Sequence, residues 1–120
     1  MGTFGLRTEV GEGGLPVIYV SGDLDTQSAP LLRKALWDLL LNGSQVILLQ
    51  IDGVEYVDSS GLGILVAALR YANEISGTVA IACPKPRVSR VLRITGLDKI
   101  FSVYADEQEA RRALATCEQV

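Results

Sequence analysis

The chain has 120 residues, a net charge of −3 and no histidine. The length suits one domain, so we expect residues 1–120 to form a single domain. The acidic balance argues against nucleic-acid binding, which normally leaves a basic footprint. The absence of histidine removes the commonest general base and the commonest metal ligand, so we expect no catalytic residues, metal or other cofactor.

Cysteine content and the lengths of the apolar runs favour a cytoplasmic protein. Cys83 and Cys117 are too few for a disulfide framework, and they lack zinc-site spacing. Residues 1–7 lack the apolar core of a signal peptide. No apolar run approaches the roughly 20 residues that a membrane span needs. We therefore expect a free-standing cytoplasmic protein that binds neither nucleic acid nor membrane.

The first third of the chain predicts two strands and a helix. Residues 6–10 and 16–21 are short β-rich segments, separated by a glycine-rich hairpin loop. A loop at 22–26 leads into a helix with Pro30 near its first turn, where the missing N–H costs little. Asn42 and Gly43 are its stop signal. Its predicted buried stripe consists of Leu32, Ala35, Leu36, Leu39 and Leu40.

The middle of the chain predicts a buried strand and an apolar helix. Residues 46–51 are almost all apolar, which is typical of a central strand covered on both faces. We predict that Asp52 and Gly53 end this strand. A short connection at 54–57 then leads to a helix from about Ser60 to Ser76.

The last part of the chain continues the alternation of strands and helices. We predict a strand at 78–83, a helix at 87–95, a strand at 101–105, and a final helix that Asp106 caps and that runs through Ala115. The element order is therefore β-β-α-β-α-β-α-β-α. This order predicts an α/β fold in which crossover connections join the strands of one sheet.

The hexapeptide Asp58-Ser59-Ser60-Gly61-Leu62-Gly63 lies where the apolar helix begins. Aspartate and serine are the residues that cap helix starts, so a plain cap formed by one hydroxyl is one interpretation. One hydroxyl is enough for a cap, and the second serine then offers a surface site for phosphate. A phosphate adds nearly two negative charges, which the helix N-terminus partly compensates. We expect the fold to survive it and a partner that buries this surface to lose affinity.

The helix that follows the two serines is apolar on more than one face. Either neighbouring helices cover the second face, or a partner does. The predicted stripe consists of Leu62, Leu65, Val66 and Leu69, and the apolar residues outside it are Ile64, Ala67, Ala68 and Tyr71.

Two further groups of charged residues allow a structural and a functional interpretation. Asp23 and Asp25 follow the second strand, where they suit turn chemistry and helix capping. Alternatively, one of these carboxylates positions a serine hydroxyl or binds a cation of a partner. Arg87, Arg90 and Arg93 recur every three residues, as on a solvated helix face or at a contact with an acidic partner.

The sequence lacks the motifs of common catalytic sites. A nucleophile elbow around Ser59 needs a glycine at the position of Val57, and no nucleotide-binding phosphate loop is present. Asp52 suits the acceptor position of a response-regulator receiver. The acidic pair and the lysine that support this acceptor in receivers are missing. A phospho-receiver or an enzyme is therefore the alternative class of function.

Three segments resemble free-standing STAS domains, and specifically bacterial anti-sigma-factor antagonists. The first is Val20-Ser21-Gly22-Asp23-Leu24-Asp25. The second, Val57-Asp58-Ser59-Ser60-Gly61-Leu62-Gly63, is similar to the family's phosphorylation motif. The third contains Val88, Val91, Leu92, Thr95, Gly96, Leu97, Ile100 and Phe101.

The resemblance implies a STAS fold, with a mixed sheet of about five strands and about four helices mainly on one side. It implies that the unphosphorylated protein binds an anti-sigma factor that is also an ATP-using serine kinase, which frees the sigma factor. The kinase then phosphorylates Ser59, binding is lost, and a serine phosphatase restores it. Ser60 is the poorer acceptor.

The resemblance also implies where the partner binds. Asp25 and Asp58 match acidic positions that flank the acceptor serine. A STAS subunit of another regulatory or transport complex is the alternative among binding modules. The expected partner-binding residues are Asp23, Asp25, Thr26, Asp58, Ser60, Gly61, Leu62, Gly63 and Ile64.

Overall fold

The structure is a computed structural model that describes residues 3–118, with the backbone alone at residue 12 and residues 116–118. It confirms the predicted element order. Single-turn 3-10 helices lie at Glu12–Gly14 and Leu97–Lys99. The strands and α-helices are β1 (Gly5–Val10), β2 (Pro16–Leu24), α1 (Ala29–Leu41), β3 (Val46–Val57), α2 (Ser59–Glu74), β4 (Thr78–Ala82), α3 (Pro86–Ile94), β5 (Val103–Tyr104) and α4 (Glu107–Glu118).

The strands form one mixed sheet in the order β1-β2-β3-β4-β5, which confirms the predicted α/β class. β1 is antiparallel to β2, and every other neighbouring pair is parallel. Ile47 and Leu49 pack on the sheet face that α1, α2 and α3 cover, whereas Leu48 packs on the α4 face. Since both faces of β3 are covered, residues 46–51 are apolar except for Gln50, which is buried as well.

Helix α1 packs on the sheet through a stripe close to the predicted one. Leu32, Leu36 and Leu40 are buried, and Ala29 joins them, whereas Ala35 and Leu39 are only half-buried. Burial of a leucine side chain stabilises the folded protein by about 1.5–3 kcal/mol relative to an exposed side chain. This stripe therefore anchors α1 and, with it, the loop that precedes the helix.

Two predicted strand ends are wrong, because β2 and β3 continue side by side. β3 runs past Asp52 and Gly53 to Val57, and β2 runs to Leu24. The two strands stay paired to Leu24 opposite Val57 through two register shifts, at each of which β3 contains one residue more than β2. Val57 is buried. Hydrogen bonds to the neighbouring strand and burial of apolar side chains outweigh the turn preference of Asp52 and Gly53, so residues 54–57 are strand and not a connection.

The predicted last strand is too long. Phe101 lies before the strand as a buried side chain of the α1–α3 face, and β5 contains only Val103 and Tyr104. The Asp106 carboxylate accepts a hydrogen bond from the backbone N–H of Glu109 over 2.7 Å, which confirms the predicted cap of α4. Across residues 3–118, the helices are too short or too polar to span a bilayer.

Candidate functional site

The loops after β2 and before α2 meet at one edge of the sheet. The backbone N–H of Asp58 donates to the carbonyl oxygen of Leu24 over 3.1 Å. The hydroxyl oxygens of Thr26 and Ser60 are 3.2 Å apart. Parallel strands end at the same edge of a sheet, and this geometry brings residues 23–26 next to residues 58–63. We call these two segments together the serine site.

The carboxylate of Asp58 caps helix α2. Its Oδ1 atom accepts hydrogen bonds from the backbone N–H groups of Ser60, over 2.9 Å, and Gly61, over 3.2 Å. The carbonyl oxygen of Asp58 accepts the N–H of Leu62. The interpretation of this segment as a helix cap is therefore confirmed, and the group that forms the cap is the carboxylate of Asp58 and not a serine hydroxyl. Such a cap contributes about 0.5–2 kcal/mol to the free energy of unfolding.

The two serines differ in environment. Ser59 is the first residue of α2 and is exposed, and its hydroxyl has no hydrogen-bond partner among residues 3–118. Ser60 is half-buried, and its hydroxyl faces that of Thr26. A reagent or enzyme that approaches this edge therefore meets the hydroxyl of Ser59 without having to break a contact.

The two glycines of the serine site have different roles. A Cβ atom on Gly61 would lie 2.7 Å from Cγ of Leu24 and 3.0 Å from its carbonyl oxygen. Gly61 therefore permits α2 to pack closely against the end of β2. A Cβ atom on Gly63 meets nothing within 4 Å, and Gly63 is exposed.

The buried side of α2 differs from the predicted stripe. Leu65 and Leu69 are buried as predicted, but Leu62 and Val66 are only half-buried. Their predicted places in the core are taken by Gly61, Ala68 and Ala72. Small residues fill these positions because α2 packs against both the sheet and the neighbouring helix α1, which leaves little space.

Half-buried and exposed apolar residues of α2, together with Leu97 of the 3-10 turn after α3, form a surface that begins one helical turn from Ser59. We call Leu62, Gly63, Val66, Ala67 and Leu97 the apolar shelf. Together with Arg70 and Thr95 they line a shallow depression between α2 and the 3-10 turn that follows α3. On the opposite flank of α2, Tyr71 packs against Trp37 of α1. The fold thus covers one side of the helix and leaves the shelf accessible to a partner.

Asp25 forms the turn that precedes α1. Its carboxylate accepts hydrogen bonds from the backbone N–H groups of Gln27, over 3.0 Å, and Ser28, over 3.1 Å. Asp23 is half-buried, and its side chain makes no hydrogen bond within the described part of the chain. Turn chemistry is therefore confirmed for Asp25. Neither carboxylate binds the Ser59 hydroxyl within residues 3–118.

Comparison with known proteins defines the family of this chain. A family model described as the STAS domain matches residues 8–110. The chain belongs to the STAS domain family. A Thermotoga neapolitana protein, provisionally named an anti-sigma factor antagonist, is 37% identical over 78% of this chain and 84% of its own length. The anti-sigma-B factor antagonist of Staphylococcus aureus is 31% identical over 72% and 80%.

Solved structures of STAS relatives have the same fold. A crystal structure of an anti-sigma factor antagonist from Mycobacterium paratuberculosis has a TM-score of 0.83 at 28% identity and covers 92% of this chain and 93% of its own. The antagonist SpoIIAA in its unphosphorylated form has a TM-score of 0.78 at 24% identity and covers 91% and 96%. Its phosphorylated Bacillus form has a TM-score of 0.74 at 22% identity and covers 92% and 99%.

Within residues 3–118, the charged residues outside the serine site form no recognisable phosphate-acceptor or metal site. Asp52 is exposed within β3 and not at its end, which weakens the receiver interpretation. Arg87, Arg90 and Arg93 are exposed and form no ion pair with any described residue. Within residues 3–118, no cluster of three or more carboxylate or thiol side chains is close enough to hold a metal ion.

One polar cluster, formed by Tyr19, Glu107 and Arg111, has no recognisable signal in the sequence. The Tyr19 hydroxyl donates to Oε2 of Glu107 over 3.0 Å, and Nε of Arg111 donates to the same oxygen over 2.8 Å. Burial raises the pKa of Glu107, but the hydrogen bonds from Arg111 and Tyr19 outweigh it, so the net pKa is lowered. Since Tyr19 and Glu107 are 88 positions apart, only the fold brings them together.

Cys83 packs on the α4 face of the sheet. Cys83 is a free, half-buried thiol after β4, and burial and then the charge of Asp52 raise its pKa. A raised thiol pKa means less thiolate and lower reactivity. The side chain of Cys117 lies outside the described residues.

Proposed function

We propose that this STAS domain, acting as one domain over residues 1–120, is an anti-sigma factor antagonist: a binding module and not an enzyme. The observation that carries the proposal is the exposed hydroxyl of Ser59, which has no hydrogen-bond partner in residues 3–118 and lies beside the apolar shelf. The unphosphorylated protein binds an anti-sigma factor, which is also an ATP-using serine kinase. Phosphorylation of Ser59 ends this binding, and a serine phosphatase restores it.

The first supporting argument is that a phosphate on Ser59 does not disturb the fold. Asp58 caps α2 without using the Ser59 hydroxyl, so phosphorylation removes no hydrogen bond from the helix start. A negative charge in the first turn of a helix is stabilised by about 0.3–1 kcal/mol at an exposed site. This gain offsets part of the repulsion from Asp58. We therefore expect the phosphorylated protein to keep its structure.

The second argument is that the same phosphate opposes binding. Phosphoserine carries a charge of about −1.5 to −2 at neutral pH. The charged side chains of the serine site, Asp23, Asp25 and Asp58, are all acidic, so none of them neutralises the phosphate. A partner that covers Ser59 would therefore have to desolvate a dianion that only the helix N-terminus compensates, and only in part, which costs several kcal/mol.

The proposed contact surface combines the serine site with the apolar shelf. Thr26, Ser60 and Gly63 contribute accessible polar and backbone groups, and Leu62 contributes half-buried apolar surface. The other predicted residues support this surface without forming its centre. Asp58 caps α2, Asp25 forms the turn before α1, and Gly61 allows close packing against β2. Ile64 packs on the core, and Asp23 adds a negative charge.

The decisive experiment measures direct binding to a purified anti-sigma factor kinase from the same organism by isothermal titration calorimetry. We expect wild type, Ser59→Ala and Ser60→Ala to bind with similar affinity, and Ser59→Asp to lose at least tenfold. Gly63→Arg tests the shelf, because the new side chain enters open space, spares the core and blocks docking. Equal binding of Ser59→Ala and Ser59→Asp would contradict the switch.

Phosphorylation itself is tested separately by incubating the protein with the same kinase and ATP and recording its intact mass. We expect one added phosphate in wild type and in Ser60→Ala, and none in Ser59→Ala. Peptide mapping that located the phosphate on Ser60 or Asp52 would refute the assignment. Circular dichroism of the phosphorylated sample should match that of the unmodified protein.

A further inference from the structure

Strand β1 leaves one of its edges without a hydrogen-bonding partner in the described structure, where it pairs only with β2. The backbone N–H of Gly11 donates to the carbonyl oxygen of Leu15 over 2.9 Å. Hydrogen-bonded and non-hydrogen-bonded pairs alternate in an antiparallel ladder. Gly5, Arg7 and Glu9 therefore bond to β2, and the even-numbered residues Leu6, Thr8 and Val10 direct their N–H and C=O groups outward. Pro16 lies opposite Val10, and proline has no N–H to donate. This agrees with the assignment of Val10 to a non-hydrogen-bonded pair.

The side chains of β1 alternate between two chemically distinct rows. Arg7 and Glu9 lie on the α4 face of the sheet, where the Arg7 guanidinium is 4.2 Å from the centre of the Tyr19 ring. The two side chains form an ion pair with each other, with Nε of Arg7 2.6 Å from Oε2 of Glu9, and both are more than half exposed. Leu6 and Val10 lie on the opposite face and are 36% and 68% exposed. One edge therefore presents free backbone groups, accessible apolar side chains and two charges of opposite sign.

This edge is complementary to itself. If a second copy of β1 pairs antiparallel about a twofold axis at Thr8, Arg7 faces Glu9 of the second copy on both sides of the axis. Leu6 then faces Val10 of the second copy. The outward groups of Leu6, Thr8 and Val10 form three hydrogen-bonded pairs, which amounts to about six N–H···O bonds. A register centred on Arg7 or on Glu9 would instead place like charges opposite each other.

We infer that β1 is a self-association edge through which two copies of this protein form a symmetric dimer. The five strands of each copy then join into one continuous sheet across an isologous interface. Charged side chains on an edge strand usually prevent such pairing. Here their opposite signs select one register. β2 separates β1 from β3, the strand that leads to Ser59, so the dimer leaves the serine site accessible.

The test is sedimentation equilibrium of the full chain over a wide concentration range. Wild type should show a concentration-dependent dimer. Arg7→Glu and Glu9→Arg each place like charges across the axis and should raise the dimer Kd at least tenfold. An equimolar mixture of these two variants should form a heterodimer, because every cross-strand pair in it has opposite charges. The double variant R7E/E9R should restore the homodimer.

Arg87→Glu is the matched control, because it makes the same charge change on the exposed face of α3, and it should leave the dimer Kd unchanged. Circular dichroism establishes that each variant is folded. A wild type that stays monomeric at every concentration would overturn the inference, and Arg7 and Glu9 would then be charges that protect the edge. Wild-type-like dimers of both single variants, or a mixture that does not associate, would overturn it as well.

Discussion

Removal of the Asp58 carboxylate separates the role of the helix cap from the role of the phosphate acceptor. Asp58→Ala removes the acceptor of two hydrogen bonds, 2.9 and 3.2 Å long, and one charge at the start of α2. Loss of a capping side chain costs about 0.5–2 kcal/mol. Because Asp58 is half-buried and water replaces it poorly, we expect about 1–2 kcal/mol. Asp58→Asn keeps an acceptor oxygen and loses only the charge, about 0.3–1 kcal/mol.

These free energies convert into measurable shifts of the melting temperature. An unfolding entropy of about 2.1 cal/mol/K per residue gives about 0.25 kcal/mol/K for 120 residues. Asp58→Ala should therefore lower Tm by about 4–8 °C, and Asp58→Asn by about 1–4 °C. Differential scanning calorimetry at neutral pH measures both shifts, and urea unfolding gives the free energies directly.

Ser59→Ala is the control that distinguishes a cap formed by Asp58 from a cap formed by Ser59. The Ser59 hydroxyl has no hydrogen-bond partner in residues 3–118, so its removal should change stability by less than about 0.5 kcal/mol. A loss above about 1 kcal/mol for Ser59→Ala would show that the serine, and not the aspartate, caps α2. Equal stability of Asp58→Ala and wild type would refute the reasoning in the same way.

Three further predictions concern packing and pH. In urea unfolding, Gly63→Ala should stabilise the protein by about 0.5–1 kcal/mol through helix propensity. Gly61→Ala should be less stable than Gly63→Ala by about 1–3 kcal/mol, because its methyl group overlaps Leu24. Equal changes in the free energy of unfolding for the two variants would contradict this packing. Leu36→Ala should cost about 2–5 kcal/mol, since Leu36 is fully buried, and a cost below about 1 kcal/mol would mean that α1 is not anchored there. Because the pKa of Glu107 is lowered in the folded protein, its carboxylate contributes to the free energy of unfolding at pH values above the ordinary pKa of 4.5. This contribution is lost as the pH falls through the lowered pKa of the folded protein. Wild type should therefore lose more stability than Glu107→Gln during acid titration, and parallel curves would refute this linkage.

Local sequence patterns were sufficient for the order of the elements and for the stripe on α1. Leu32, Leu36 and Leu40 recur at helical spacing, and the structure buries all three. The apolar run at 46–51 predicted coverage of both sheet faces, which α1–α3 and α4 provide. These predictions succeeded because periodicity and residue type carry the information within one element.

Predictions failed where a neighbouring element decides the outcome. Asp52 and Gly53 have turn preferences, but pairing with β2 keeps them in the strand. Gly61 and Gly63 look alike in sequence, and only the position of Leu24 distinguishes them. In the same way, the half-buried state of Leu62 follows from how α2 packs.

The sequence by itself determined that two serines and an aspartate stand at the start of an apolar helix, because residue type and spacing are local properties. Only the tertiary structure decided which atoms cap the helix and which hydroxyl stays free. That outcome depends on β3 continuing to Val57, on the contact of Asp58 with Leu24, and on the Thr26 hydroxyl facing Ser60. Each of these contacts joins residues far apart in the chain, and such contacts form only when the whole sheet does.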